Sequence, residues 1–107
     1  MTDDVLTELY AILRARAGAD PKTSYVASLY HKGLDGILKK VGEEAVETVI
    51  AAKGDDPAAL IHETADLWFH CLVMLAYRNI APEQILAELK ARMGRSGIEE
   101  KASRHEG

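Results

Sequence analysis

Three acidic side chains are crowded into one short stretch, Lys39-Lys40-Val41-Gly42-Glu43-Glu44-Ala45-Val46-Glu47. Within it Glu44 and Glu47 are three residues apart, and a second pair with the same spacing follows at Glu63 and Asp66. Residues three apart lie on one face of a helix, so each pair presents two carboxylates in the same direction. A single pair of this kind is usually a solvated helix surface. Two such pairs in one small chain favour a binding site instead.

Such a site is expected to bind cations, because clustered carboxylates repel one another when they are partly buried and unpaired. A set of oxygen ligands that needs neither cysteine nor histidine suits hard ions, with Mg²⁺ first, Mn²⁺ as a substitute, and Ca²⁺ also compatible. Mg²⁺ often takes further ligands from substrate phosphates. The residues therefore predict a metal-dependent site that acts on a phosphate compound. Glu43 lies near Glu47 on a helical wheel, and it either joins this site or pairs with a lysine.

Apolar residues recur at intervals of three and four along the chain, which predicts mostly helix. We expect an all-α bundle of about five helices. Their predicted limits are Asp3 or Asp4 to Gly18, Ser24 to Gly33, Asp35 to Lys53, Pro57 to about Asn79, and Pro82 to Gly94. The first residue of each range, except the two prolines, is predicted as an N-cap. For the fourth helix Asp56 is the expected N-cap, with Pro57 in the first turn.

The third and fourth helices are joined by a very short turn at Asp55, so they are expected to form a central antiparallel hairpin. Glu47 and Glu63 are each eight residues from Asp55, and Glu44 and Asp66 are each eleven residues from it. Since every helical residue rises by the same amount, residues equally far from the turn lie at similar heights. The two acidic pairs should therefore meet across the hairpin.

The composition limits the protein class. The 107 residues, 48% of them hydrophobic, predict a single domain over 1–107, with 95–107 as a charged, flexible tail. A net charge of −4 argues against nucleic-acid binding. The uncharged run Leu67–Tyr77 is too short to span a membrane, and the lone Cys71 cannot form an internal disulfide, so a cytoplasmic protein is expected. The fourth helix is apolar nearly all round, which predicts a homodimer that completes the bundle.

At these residues the chain resembles the phosphoribosyl-ATP pyrophosphatases of histidine biosynthesis, within the all-α nucleotide pyrophosphatase superfamily. The superfamily pattern corresponds to Glu43-Glu44-x-x-Glu47 and Glu63-x-x-Asp66. The marks typical of the narrower family are Ser24-Tyr25, the Lys39-Lys40-Val41-Gly42 run, Ala65-Asp66-Leu67 with His70, and Arg92-x-Gly94-x-Ser96-Gly97-x-x-Glu100-Lys101-Ala102. The similarity extends over about residues 20 to 104.

The resemblance implies Mg²⁺-dependent hydrolysis of phosphoribosyl-ATP to phosphoribosyl-AMP and pyrophosphate by a homodimer. By matched position it implies four metal ligands, and these are Glu44, Glu47, Glu63 and Asp66. It makes Glu43 the candidate base or outer partner, so that the catalytic candidates are Glu43, Glu44 and Glu47. Which phosphorus is attacked stays open.

Basic residues before the acidic stretch and in the tail are candidates for binding substrate phosphates. Lys40 is preferred because it shares a face with Glu43 and Glu47, and Lys39, Arg95 and Lys101 are further candidates. Each of these residues has a simpler reading as surface charge. His62 and His70 are expected to pack or to support the ligands, and Cys71 to be inert core.

Two alternative functions remain open from the sequence. One is a related pyrophosphatase that acts on free nucleoside or deoxynucleoside triphosphates, and the other is a non-enzymatic helical interaction module. A ferritin-like di-metal oxidase fits less well, because its Glu-x-x-His motif is absent from both central helices.

Overall fold

The computed structural model describes residues 2–94, with side chains from Val5 onward. Over these residues the chain forms five α-helices and no strand, which confirms the all-α class. The helices are α1 (Thr2–Arg16), α2 (Tyr25–Lys32), α3 (Leu34–Lys53), α4 (Pro57–Tyr77) and α5 (Pro82–Ala91).

Two helices begin where their capping residues predict. The Ser24 hydroxyl accepts a hydrogen bond from the Ala27 N–H at 3.1 Å at the start of α2. At the start of α4, the Asp56 carboxylate accepts one from the Ala58 N–H at 3.0 Å, and Pro57 occupies the first turn. These bonds satisfy backbone N–H groups that have no partner within the helix.

Asp35 is not the N-cap of α3, which corrects the expectation from the sequence. Helix α3 begins at Leu34, and its cap position is Gly33, with φ +84° and no side-chain hydrogen bond. Glycine adopts this left-handed conformation without a steric penalty, so the chain turns from α2 straight into α3. Asp35 consequently lies in the first turn of α3, where its negative charge still interacts favourably with the helix dipole.

The ends of α4 and α5 also come earlier than expected. Helix α4 ends at Tyr77 and is followed by Asn79 in a left-handed conformation with φ 59°. The Arg14 guanidinium donates to the Asn79 side-chain oxygen at 2.8 Å, which ties this turn to α1. Helix α5 ends at Ala91, before Gly94.

The core lies where α1, α2, α3 and α4 meet. Its buried members come from all four helices, and they are Leu13, Val26, Leu29, Ile37, Leu72 and Val73. Apolar burial of this kind contributes roughly 25 cal/mol per Å² of area removed from water. The core therefore fixes the position of α2 against the α3–α4 hairpin, on which the acidic residues lie.

Helix α4 is covered on only part of its surface within this chain. His70, Leu72, Val73 and Ala76 are buried, and they all lie in its second half. Ile61 in the first half and Trp68 near the middle of the helix remain 70% and 59% exposed. None of the described helices has the length and hydropathy needed to cross a membrane.

Candidate active site on the α3–α4 hairpin

The acidic residues are positioned by α3 and α4, which pack along each other in an antiparallel hairpin. The Thr48 hydroxyl lies 2.8 Å from the Glu44 carbonyl in its own helix and 3.1 Å from the Glu63 carbonyl in α4. One hydroxyl thus joins the backbones of two acidic residues on different helices. This shared hydroxyl fixes the register of α3 and α4 at the level of Glu44 and Glu63.

Glu63 and Asp66 form the part of the site contributed by α4. With His62 they make a group whose potential ligand atoms all lie within 4.8 Å of one another. The His62 Nε2 atom is 3.4 Å from the second carboxylate oxygen of Asp66. Glu63 and Asp66 are half-buried, whereas His62 is exposed. Two half-buried carboxylates at this separation are a suitable part of a divalent-metal site.

The part contributed by α3 is organised by Lys40. The Lys40 ammonium lies 3.6 Å from a carboxylate oxygen of Glu43 and 3.5 Å from one of Glu44. The Glu44 side chain is only 12% exposed, so the nearby ammonium offsets much of the cost of desolvating its charge. Glu47 is exposed and lies outside both this ion-pair group and the α4 group.

Three candidate phosphate-binding residues and Cys71 remain from the sequence analysis. Lys39 is exposed on the surface of α3. Arg95 and Lys101 lie outside the described residues. Burial raises the pKa of the Cys71 thiol, which keeps it protonated and unreactive at neutral pH.

A hydrogen-bonded chain that the sequence did not predict connects α2 to the acidic cluster. The Tyr25 hydroxyl lies 2.8 Å from Nε2 of the buried His70, whose Nδ1 lies 2.7 Å from the Asp66 carbonyl oxygen. A carbonyl can only accept, so Nδ1 carries the proton and Nε2 accepts from the tyrosine hydroxyl. The His70 ring therefore holds Tyr25 next to the backbone of a candidate metal ligand. Tyr25 and His70 are separated by 45 residues, and local spacing gave no signal of their contact.

The Tyr25 hydroxyl is close enough to both acidic helices to be affected by their charges. Its pKa is raised, first by burial, and the Lys40 ammonium opposes this shift. The carboxylates of Glu44, Asp66 and Glu43 raise it further. The pKa of Lys40 is raised as well, first by the charge that Tyr25 acquires when it ionises at high pH and then by the carboxylates of Glu44 and Glu43, while burial opposes the shift. Residues of α2, α3 and α4 therefore converge on one region, where Tyr25 stays protonated and Lys40 stays charged at neutral pH.

A helical hairpin with carboxylates on both helices, one lysine among them and a half-buried acidic group has the chemistry that suits a divalent cation and a phosphate compound. Comparison with known proteins gives the family. The family model described as Phosphoribosyl-ATP pyrophosphohydrolase matches residues 6–93. The chain belongs to this family.

Curated relatives agree over nearly the full length. Proteins named phosphoribosyl-ATP pyrophosphatase from Burkholderia vietnamiensis (strain G4) and Burkholderia cenocepacia (strain HI2424) are each 55% identical over 107 residues. Each alignment covers 96% of this chain and 88% of the relative. A relative of the same name from Burkholderia multivorans is 54% identical with the same coverage.

Proposed function

We propose that this protein hydrolyses phosphoribosyl-ATP at the α–β phosphoanhydride, giving phosphoribosyl-AMP and pyrophosphate in histidine biosynthesis. The observation that carries the proposal is the placement of Lys40 against Glu44, and of Tyr25 through His70 against Asp66, in a chain from this family. Carboxylates that bind a divalent cation, beside an ammonium that binds phosphate, are what a triphosphate substrate requires. We further propose that the protein works as a homodimer in the cytoplasm.

Mg²⁺ is the proposed cofactor, with Mn²⁺ as a substitute. Its proposed ligands are the carboxylates of Glu44, Glu47, Glu63 and Asp66. The fit is supported by the half-buried Glu63–Asp66 group, whose oxygen donors suit a hard ion. His62, beside the second oxygen of Asp66, is assigned the role of orienting that carboxylate. When bound, the metal neutralises charge on the phosphate chain and lowers the pKa of a coordinated water.

Lys40 and Glu43 have linked roles in this proposal. Without substrate, the Lys40 ammonium is shared between Glu43 and Glu44. A bound phosphate chain offers a stronger partner for the ammonium, which leaves the half-exposed Glu43 carboxylate free to accept a proton from the attacking water. Lys39, Arg95 and Lys101 are proposed as further phosphate contacts.

The proposal is tested by measuring pyrophosphate release from phosphoribosyl-ATP with Mg²⁺, beside ATP and the deoxynucleoside triphosphates. We expect turnover of phosphoribosyl-ATP to exceed that of every free triphosphate and to stop when a chelator is added. Faster hydrolysis of a free triphosphate would replace the proposal with the related pyrophosphatase. No turnover of any substrate would favour an interaction module.

Mg²⁺ should also raise the melting temperature of the protein, because binding to the folded state relieves repulsion among the carboxylates. Melting curves with excess Mg²⁺ and with chelator provide this readout without any substrate. Identical curves, with activity that survives chelation, would exclude the metal site.

A further inference from the structure

A cleft of about 460 Å³ lies beside the acidic hairpin and is not used by the proposed chemistry. It is formed by the end of α1, the connection to α2 and the middle of α4, and it is lined by Arg16, Thr23, Ser24, Tyr25, Val26 and Phe69. Pockets that bind small molecules usually have volumes of roughly 300–1,000 Å³. The cleft is therefore large enough for a nucleoside phosphate.

Tyr25 connects this cleft to the acidic site. Its side chain forms part of the cleft wall, and its hydroxyl is hydrogen-bonded to His70, one helical turn beyond Asp66. The same hydroxyl is affected by the charges of Lys40 and Glu44. A molecule whose phosphate chain lies at the carboxylates can therefore extend past Tyr25 into the cleft.

The lining of the cleft combines aromatic, hydroxyl and cationic groups. The rings of Tyr25 and Phe69 offer surfaces for a flat base, and the Thr23 hydroxyl offers a polar contact. Arg16 is exposed and has no carboxylate partner among residues 5–94, the range over which side chains are described. A guanidinium without a partner at the edge of a cleft is well suited to pair with a phosphate through two parallel hydrogen bonds.

A concavity of about 270 Å³ beside Tyr30 and Tyr77 also contains an arginine, but this Arg14 guanidinium already donates to Asn79 at 2.8 Å. Two further grooves lack charged side chains. The groove between α1, α4 and α5 is lined by Leu6, Trp68, Cys71 and neighbouring apolar residues and by no charged side chain. A second groove, beside Ile61 and Trp68, is also uncharged. A phosphate would be desolvated in either groove without compensation.

We propose that the Arg16–Tyr25–Phe69 cleft binds the phosphoribosyl-purine half of the substrate, and that Arg16 pairs with the phosphate at the end opposite the triphosphate. This inference rests on the proposed function, since phosphoribosyl-ATP has a phosphate group at both ends. The acidic hairpin then takes the triphosphate and the cleft takes the remainder. Arg16 thereby distinguishes this substrate from ATP, which has no phosphate group at the end opposite the triphosphate.

The test uses Arg16→Gln, with Lys22→Gln as the matched control. Lys22 lies in the connection between α1 and α2, is exposed, and does not line the cleft, so both variants lose one positive charge from the same region. Arg16→Gln should raise KM for phosphoribosyl-ATP about tenfold or more with kcat nearly unchanged, because the pairing is present in both the ground and transition states. Lys22→Gln should match the parent.

Product inhibition separates the two halves of the site. In Arg16→Gln, inhibition by phosphoribosyl-AMP should weaken about tenfold, while inhibition by pyrophosphate should stay unchanged. Calorimetric titration of phosphoribosyl-AMP in the presence of chelator should show the same loss without turnover. Parental KM and parental product affinity in Arg16→Gln would overturn the cleft assignment, as would equal weakening of both inhibitors. If the parent protein turns over only free triphosphates, the proposed function fails instead.

Discussion

Single residues around the acidic hairpin divide into those that carry charge and those that hold the charged groups in place. Tyr25 and His70 belong to the second kind, because their hydrogen bond connects α2 to the Asp66 backbone. Tyr25 donates to a ring nitrogen of a residue that is only 4% exposed. Removal of this donor leaves a buried acceptor without a protein partner, which costs more than the average hydrogen bond.

Tyr25→Phe should therefore lower the free energy of unfolding by about 1–2 kcal/mol, measured by urea denaturation. Tyr30→Phe is the matched control, since Tyr30 lies in the same helix and its hydroxyl makes no hydrogen bond to any described residue. Its substitution should change stability by less than about 0.5 kcal/mol. Equal effects of the two substitutions would show that the Tyr25–His70 bond contributes nothing specific.

Glu47→Gln and Asp66→Asn test the proposed metal ligands. Each change keeps the shape of the side chain and removes a charged ligand, so pyrophosphate release should fall about 100-fold or more. Without metal, the variants should melt no lower than the parent, because repulsion between the carboxylates is also reduced.

The control for these two variants is Glu8→Gln on α1, which is exposed and outside both acidic pairs. It should retain parental turnover and an unchanged circular dichroism spectrum. Near-parental pyrophosphate release from both ligand variants at saturating Mg²⁺ would show that the carboxylates form an ordinary solvated surface.

Among the helices, the α3–α4 hairpin determines the geometry of the site, and its register depends on Thr48. The hydroxyl of Thr48 is shared between carbonyl groups of both helices. Thr64 is a close counterpart, because its hydroxyl is bonded at 2.7 Å to the Leu60 carbonyl within its own helix. The two threonines are both half-buried and differ in whether they link the helices.

Thr48→Val should lower the free energy of unfolding by about 1 kcal/mol and reduce pyrophosphate release, because the link that aligns the carboxylates is lost. Thr64→Val removes only a bond within one helix and should leave turnover close to the parental value. Urea denaturation and steady-state assays on both variants measure these effects. A loss of turnover that is no larger in Thr48→Val than in Thr64→Val would contradict the role of the interhelical link.

The helix limits also show which structural features can be predicted from a single sequence. The starts of α2 and α4 followed from Ser24 and from Asp56-Pro57, because capping depends on a few adjacent residues. The N-cap of α3 was placed two residues late, because Gly33 adopts a left-handed conformation that the Asp35 signal does not reveal. Helix ends were less accurate than helix starts, as α5 ends three residues before the expected Gly94.

The candidate site shows a similar division between local and long-range information. The spacing of Glu63 and Asp66 predicted that they lie on the same face of one helix, and their carboxylates are close together there. The Lys40 ion pairs likewise join residues three and four apart on α3. The Tyr25–His70 bond depends on how α2 packs against α4, and no local rule gives this tertiary contact.

At the scale of the whole molecule, the hairpin exposes more apolar surface than a small soluble domain usually presents to water. Ile61 and Trp68 on α4 are 70% and 59% exposed, and Val49 and Ile50 on α3 are each 60% exposed. The apolar groove between α1, α4 and α5 also includes Trp68. A second copy of the chain would cover this surface, which is the physical basis for the proposed homodimer.

Ile61→Lys should therefore convert the proposed dimer to a monomer, detected by light scattering at micromolar concentration. Because Ile61 is exposed within one chain, the lysine adds no strain to the folded monomer but places a charge in the proposed interface. Val5→Lys, at a 65% exposed apolar residue on α1, is the control and should remain dimeric.

The parent melting temperature should rise with protein concentration, whereas that of Ile61→Lys should not, since only association couples folding to concentration. A monomeric parent would remove the homodimer from the proposal. A dimeric parent with a fully dimeric Ile61→Lys variant would place the interface away from the first half of α4.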